Sequence, residues 1–325
     1  MNSSASRRSA LLAALALCGS LTLTACGSKG DDAPADAAKA PAAASATAVT
    51  VAGVAISPDA ALHGALPDAI KKAGKVRVAT DIPYPPFEMY VAEGKSEMTG
   101  LDYDLGQALG AKLGVAFEFQ AQKFDGIVPA IQAGKYDAAI SAITDNKERE
   151  KVVDFVDYSA SGTGIMVAKG NPDKIVTLDD LCGKKTAVQT GTNQQKLLDK
   201  HQDACKAAGR APIDVQAFPK DSDAQLALRS GKVVADVLTK PAAGWTAKTA
   251  DNGATFEVVD DPAAQGGYNA SPNGIAIAKN LPQLTDAVQK ALQSLIDDGS
   301  LAKIFDKYGV ASIAVKSATK NGAVD

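Results

Sequence analysis

Residues 136–149, Tyr-Asp-Ala-Ala-Ile-Ser-Ala-Ile-Thr-Asp-Asn-Lys-Glu-Arg, constrain the fold of this chain more than any other stretch. Tyr136 to Ile143 form a short apolar run of mostly small residues after Gly134 and Lys135, the pattern of a buried strand. Asp145 with Glu148 three residues on reads as a capping box that opens a helix. Ser141 and Thr144 then put hydroxyls at the strand end, and Arg149 falls in the first helical turn. A strand end facing a helix N-terminus offers unpaired N–H groups and a positive dipole end, which suits an anion. An arginine there can grip a carboxylate through two parallel hydrogen bonds. A capped surface helix with a solvated Arg149 would leave the same local pattern, so the stretch alone keeps both readings open.

The remaining elements alternate as in an α/β protein. A short helix over 67–72 precedes an alternating strand at 76–80. Residues 81–88 contain Pro83, Pro85 and Pro86, which forbid regular structure. A rigid loop directly after a strand is where α/β proteins meet ligands, and it carries Asp81 and Tyr84. Leu101, Leu105, Leu109 and Leu113 recur every fourth residue as the apolar stripe of a helix. Phe117 and Phe119 mark a strand, and Asp125 is expected to cap the next helix, which Gly134 closes. Strands follow at 165–168 and 185–188. Thr192 is expected to cap a helix running from Gln194. A strand at 274–278 and helices at 284–298 and 301–307 complete the pattern.

Two motifs carry a family resemblance. Thr144 to Arg149 fits a Ser/Thr-x-x-x-x-Arg segment, and Gly100-Leu101-Asp102-Tyr103-Asp104-Leu105, followed by Leu109 and Leu113, is the second hallmark. With them the chain resembles, over about residues 75–309, the family 3 extracellular solute-binding proteins, polar amino-acid receptors of ATP-binding cassette importers. Tyr103 departs mildly, standing where the family has an aliphatic residue or threonine.

The resemblance implies a two-lobed type II periplasmic-binding fold of class α/β, each lobe a mixed sheet flanked by helices, with two hinge crossings. Residues 67–163 and 268–312 would form the first lobe, 164–267 the second, and 313–325 a C-terminal tail. It further implies a ligand set: Asp81, Tyr84, Phe124, Ser141, Ala142, Thr144 and Arg149 from the first lobe, and Gln189, Thr192, Asn193, Gln194 and Thr239 from the second. Phe124 before a helix is also a common hydrophobic staple, and Thr192 as a cap serves the helix as well as a site. Thr239 is the informative departure, because relatives carry there an Asp that pairs with the ligand's ammonium, whereas threonine offers a neutral acceptor. Asp236 would lie on the opposite strand face and Lys240 next door would repel a cation. Either Asp81 takes over the ammonium or the solute is not an ordinary α-amino acid.

The first 25 residues read as an export signal, with Arg7 and Arg8 before an apolar core at 11–23 too short for a comfortable span. Leu23-Thr24-Ala25-Cys26 resembles a lipobox, which implies lipidation of Cys26 and an anchor on the outer face of the cell membrane. Residues 26–66, rich in Ala, Pro, Ser and Asp and without an aromatic side chain, read as a disordered tether that includes His63. About 255 residues remain for the folded part, enough for one large domain or two ordinary ones.

A net charge of −3 without a basic cluster argues against nucleic acid. Cys182 and Cys205, an even pair in an exported chain, suggest a disulfide; no metal site is expected, for want of a His partner at close spacing. The expected partners are a small polar solute, the membrane permease of the importer and the membrane itself, with the protein a monomer and without cofactors. Phosphate-loop, nucleophile-elbow and zinc spacings are absent, Gly162-Thr163-Gly164 lacks the third glycine of a dinucleotide fingerprint, and His201 sits in a polar helix unsuited to a triad. The chain is therefore read as a binding protein and not an enzyme. The alternatives are an exported cyclohexadienyl-type dehydratase on the same fold, with Asp81 as its acid, or a receptor for a zwitterion such as ectoine or betaine. A sensory ectodomain would need a membrane span and a signalling domain after residue 309, and neither is expected.

Overall fold

The structure, a computed structural model, describes residues 48–324, and every structural statement concerns those residues. The expected export signal and lipobox, with Cys26, lie outside them. No helix among them is long and apolar enough to cross a membrane.

Regular structure begins earlier than composition suggests. Strands β1 (Val49–Val51) and β2 (Val54–Ile56) form a hairpin closed by Ala52 and Gly53, both at positive φ. Val51, Val54 and Ile56 are buried in the main core. Helix α1 (Ala60–Gly64) follows, capped by Asp59, which accepts from the amides of Ala61 and Leu62. His63 Nδ1 lies 2.9 Å from the Leu113 carbonyl oxygen. The expected tether is thus folded from Val49 onward. The alternating apolar residues of the two short strands, not the overall composition of the segment, carry the physical signal.

Helix α2 (Asp68–Ala73) leads into β3 (Lys75–Thr80), and after the proline loop β4 (Met89–Tyr90) pairs with β5 (Met98–Thr99). Helix α3 (Leu101–Leu113) buries all four stripe leucines completely. Each contributes about 2 kcal/mol from burial. Strand β6 (Ala116–Ala121), helix α4 (Ile127–Gln132) and strand β7 (Ala138–Ala139) follow. Asp125 does not cap α4; it lies inside a single 3-10 turn, Phe124–Gly126, that leads into the helix. Helix α5 (Lys147–Glu150) ends the opening stretch.

Strand β8 (Val153–Ala168) is 16 residues long, and it carries the chain from one half of the sheet into the other. The second half contains β9 (Lys185–Gln189), α6 (Asn193–Ala207), β10 (Asp214–Phe218), α7 (Asp221–Arg229), β11 (Ala235–Thr239), α8 (Lys240–Thr249) and β12 (Phe256–Val258). Strand β13 (Tyr268–Ala278) returns antiparallel to β8, with Tyr268 opposite Thr163 and Ala278 opposite Val153. Where the strands cross, a Cβ at Gly162 would overlap the backbone of Gly267, itself at φ 91°, so glycine is required at both.

Helices α9 (Pro282–Asp297) and α10 (Ser300–Lys307) pack on the first half. The expected C-terminal tail forms strand β14 (Ala314–Lys320), with Thr319 and Lys320 paired to Asp157 and Val156 of β8. The sheet order β10-β9-β11-β8-β13-β7-β3-β6, with β12 and β14 also on β8, gives two α/β lobes that share two crossing strands. In each lobe the parallel strands end toward the opposite lobe: β3, β6 and β7 from one side, β9, β10 and β11 from the other.

Cys182, at the end of a turn over Leu178–Leu181, is bonded to Cys205 in α6, 23 residues away, with Cα atoms 5.6 Å apart. A closed loop of that size stabilises the fold by about 3 kcal/mol, chiefly by restricting the unfolded chain. Replacing both cysteines by serine is expected to lower the unfolding free energy by that amount. An unchanged denaturant midpoint would contradict it. Helix α6 also places His201 one turn before Cys205, so a histidine does accompany the pair, against the sequence reading.

Candidate functional site

The strand ends of the two lobes face one another. From the first come Asp81 after β3, and Ser141, Ala142 and Thr144 after β7; from the second come Gln189 at the end of β9, Thr192 and Gln194 at the start of α6, and Thr239 at the end of β11. With Tyr84 and Phe124 they line one small cavity. Of the residues expected at the ligand, only Arg149 and Asn193 lie outside that lining, and one residue not expected there, Glu88, belongs to it.

The lobes meet through direct hydrogen bonds across the site. Gln189 Nε2 donates to Asp81 Oδ2 and, at 3.3 Å, to the Pro219 carbonyl. The Tyr84 hydroxyl accepts from the Thr239 amide at 3.0 Å and shares a hydrogen bond of 2.8 Å with Thr239 Oγ1. The cavity between them holds about 20 Å³. That is room for about one water and far too little for an amino acid. A solute must therefore part the lobes and take over the partners of Asp81 and Tyr84.

Arg149 and Asn193 form the lip. Arg149 Nη1 donates to the Thr144 carbonyl at 2.8 Å, and Nη2 reaches the Gly191 carbonyl of the other lobe at 3.1 Å. The guanidinium stacks 5.4 Å from the centre of the Phe124 ring. Asn193 Oδ1 accepts from Asn146 Nδ2 across the same gap at 2.8 Å. The cap of α5 is Asn146 rather than Asp145: its Oδ1 accepts from the Arg149 amide at 2.9 Å. Asp145 is fully buried instead, with its amide on the Pro272 carbonyl. Burial, with Asp157 and Glu150 beside it, pushes its carboxyl up to about 8. Thr192 caps α6 as expected, accepting from the Gln195 amide and donating to the Gln189 carbonyl.

A buried polar network holds the first-lobe side of the site. The Asp81 amide donates to Ser141 Oγ at 2.8 Å, and Ser141 Oγ donates to Glu88 Oε1 at 2.7 Å. Glu88 is completely buried, and burial and the Asp102 charge push its carboxyl well above the usual range. The Asp102 carboxyl lies beside it. Asp102 accepts from the Ala142 amide at 2.6 Å and from the Tyr158 hydroxyl at 2.8 and 2.9 Å. Ala142 has φ 44°, a left-handed conformation that strains a non-glycine residue, and the Asp102 bond ties it down. The acid after Pro-Pro-Phe lies in a loop, and the partner that buries it comes from α3.

Asp81 is buried, and burial raises its carboxyl to about 6; Gln189 and Lys220 act in the opposite direction. Above that pH it is an anion facing the cavity. Lys240, expected to repel a cation beside Thr239, points away; its Nζ lies 2.6 Å from the Gln265 carbonyl. Asp236 lies on the other face of β11 from Ala235 and Val237, as strand alternation requires. Burial and nearby Asp221 push it well up. It does not replace a carboxylate at Thr239.

The sequence profile of the bacterial extracellular solute-binding proteins, family 3, matches residues 76–311. An arginine-binding protein of Corynebacterium glutamicum is 30% identical over 250 residues, which cover 77% of this chain and 79% of that protein. An L-cystine-binding protein of Escherichia coli is 29% identical over 245 residues, covering 75% and 86%. Among solved structures, an ancestral arginine-binding protein bound to arginine is 38% identical with a TM-score of 0.64, covering 73% of this chain and 98% of the other.

Proposed function

This chain belongs to the bacterial extracellular solute-binding proteins, family 3, and from that premise we propose that it captures a cationic amino acid for an ATP-binding cassette importer. The protein is an extracytoplasmic binding component and not an enzyme, and its relatives being binding proteins disfavours the dehydratase alternative. The observation that carries the ligand class is Asp81, a buried carboxylate at the cavity between Tyr84 and Gln189, ionised above about 6, with the neutral Thr239 opposite. A cationic group is what such a carboxylate binds best, and an aromatic face beside it favours a guanidinium or ammonium.

In the proposed mechanism the solute's carboxylate meets Arg149 and the amides after β7, while its cationic end displaces Gln189 from Asp81. Closure then adds Thr192, Asn193 and Gln194 from the second lobe, and the closed shape is what the permease recognises. A solute shifts the open–closed balance only by its differential affinity for the two forms. Lipidation of Cys26 would tether the receptor at the membrane surface.

The test is a thermal-shift and calorimetric panel of arginine, lysine, ornithine, glutamine, cystine, betaine and ectoine on unliganded protein. Stabilisation with the cationic members supports the proposal, since Tm rises with ligand concentration over Kd. Stabilisation by neutral zwitterions alone would overturn it. The pH dependence has a definite sign. Protonation of Asp81 below about 6 removes its charge. Affinity for a cationic solute is then expected to fall, approaching about tenfold per pH unit. Calorimetric Kd values flat through that range would exclude Asp81 as the anchor.

A further inference from the structure

We infer that the Cys182–His201–Cys205 corner of the second lobe is a latent metal site, which takes one zinc-like ion in place of the disulfide when that bond is reduced. The donor atoms of Cys182, His201 and Cys205 all lie within 4.8 Å of one another. Asp179 Oδ1 lies 2.8 Å from His201 Nε2, so a carboxylate also sits at the imidazole. Two thiolates and an imidazole, with a carboxylate or water completing four, are the donors that zinc prefers in tetrahedral sites.

The backbone presents these donors without rearranging the lobe. Asp179 and Cys182 come from one turn, Leu178–Leu181 and its end, and that turn is pinned by Arg210 Nη1 on the Asp179 carbonyl at 2.7 Å. His201 and Cys205 are four residues apart on α6, hence on one face. Cys205 is fully buried while Asp179 is 62% exposed, which gives the corner an anchored floor and an open mouth.

The chemistry balances with a dithiol as reductant. The dithiol gives two electrons and two protons, becoming a disulfide, and Cys182 and Cys205 become thiols. Ion binding then expels both thiol protons and leaves two thiolates on the metal. The ion closes the same 23-residue loop that the disulfide closes, so one staple replaces the other. Gln194 at the cavity and Cys205 are eleven residues apart on one helix. That is about 17 Å along the axis, which separates ion binding from solute capture.

The experiment titrates zinc and cobalt(II) into the protein after reduction with a phosphine, which leaves no competing thiol. Reduced protein is expected to bind one equivalent, to show thiolate-to-cobalt charge-transfer absorption, and to regain thermal stability lost on reduction. Oxidised protein and thiol-alkylated protein should do none of these. His201→Gln should weaken zinc binding more than tenfold while leaving reoxidation to the disulfide and solute binding intact. Should that variant fold poorly, Asp179→Asn, at an exposed position, carries the same test with a loss of roughly 10–100-fold. Equal zinc uptake by oxidised and reduced protein, an absent charge-transfer band, or unchanged affinity in both variants would overturn the inference.

Discussion

Replacing Arg149 by alanine is expected to weaken solute binding by roughly two to three orders of magnitude while leaving the fold intact. Truncating one member of a buried, hydrogen-bonded charge pair removes about 2–5 kcal/mol, much of it because the partner charge is left unpaired. The proposed partner is the solute carboxylate, enclosed when the lobes close. The guanidinium also bridges the Thr144 and Gly191 carbonyls, so the variant loses a contact that favours closure. Helix α5 should survive, because its cap is the Asn146 side chain. Arg149→Lys separates the two effects: charge is kept, whereas the planar two-bond grip is lost, and an intermediate affinity is expected. Calorimetry on both variants decides the matter, and an alanine variant within threefold of the parent would sink the proposed role.

Asp102→Ala should be the most destabilising single change near the site, by roughly 3–5 kcal/mol, because it leaves buried polar partners unsatisfied. The Tyr158 hydroxyl, the Ala142 amide and the Glu88 acid all lose the same carboxylate. Solute affinity should fall as well, since Ala142 sits in the loop between Ser141 and Thr144 and would relax from its left-handed conformation. Denaturant unfolding with calorimetry on the same variant measures both; a midpoint shift below about 1 kcal/mol would show that water replaces the carboxylate.

The same burial gives stability an unusual pH sign. Burial raises Asp81, Asp102 and Asp157 to about 6 and Asp221 to about 7. Each therefore binds its proton more tightly folded than unfolded, so its contribution is present below about pH 4 and is lost as pH rises through 6 to 7. Tm of the solute-free protein is expected to fall between about pH 4 and 7. A rise over that interval would mean that the carboxylates are hydrated in the native state.

Local chemistry made much of this protein legible. The leucine stripe of α3, the alternation in β3 and β6, Gly134 after α4 and the Thr192 cap each act within one or two helical turns, and local pattern reports them directly. The two family motifs carried the rest of the fold, including the convergence of distant strand ends that no local pattern contains. What local reading mistook was also local in cause. Composition hid the hairpin Val49–Ile56, and a nominal capping box at Asp145 lost to the better-placed Asn146 next to it.

By itself, then, the sequence determined the leucine-striped helix and the alternating strands beside it, that the first lobe offers an arginine and hydroxyls at a strand end, and that Thr239 breaks the expected charge pattern. Only the tertiary structure decided which acids are buried and what each one meets. Burial and Asp102 from α3 raise the Glu88 carboxyl, Asp81 is held by Gln189 from the other lobe, and His201 joins the two cysteines through a helical turn. The physical reason is that a carboxyl's charge state depends on the solvent it loses and the partner it gains, and both are supplied by chain segments remote in sequence.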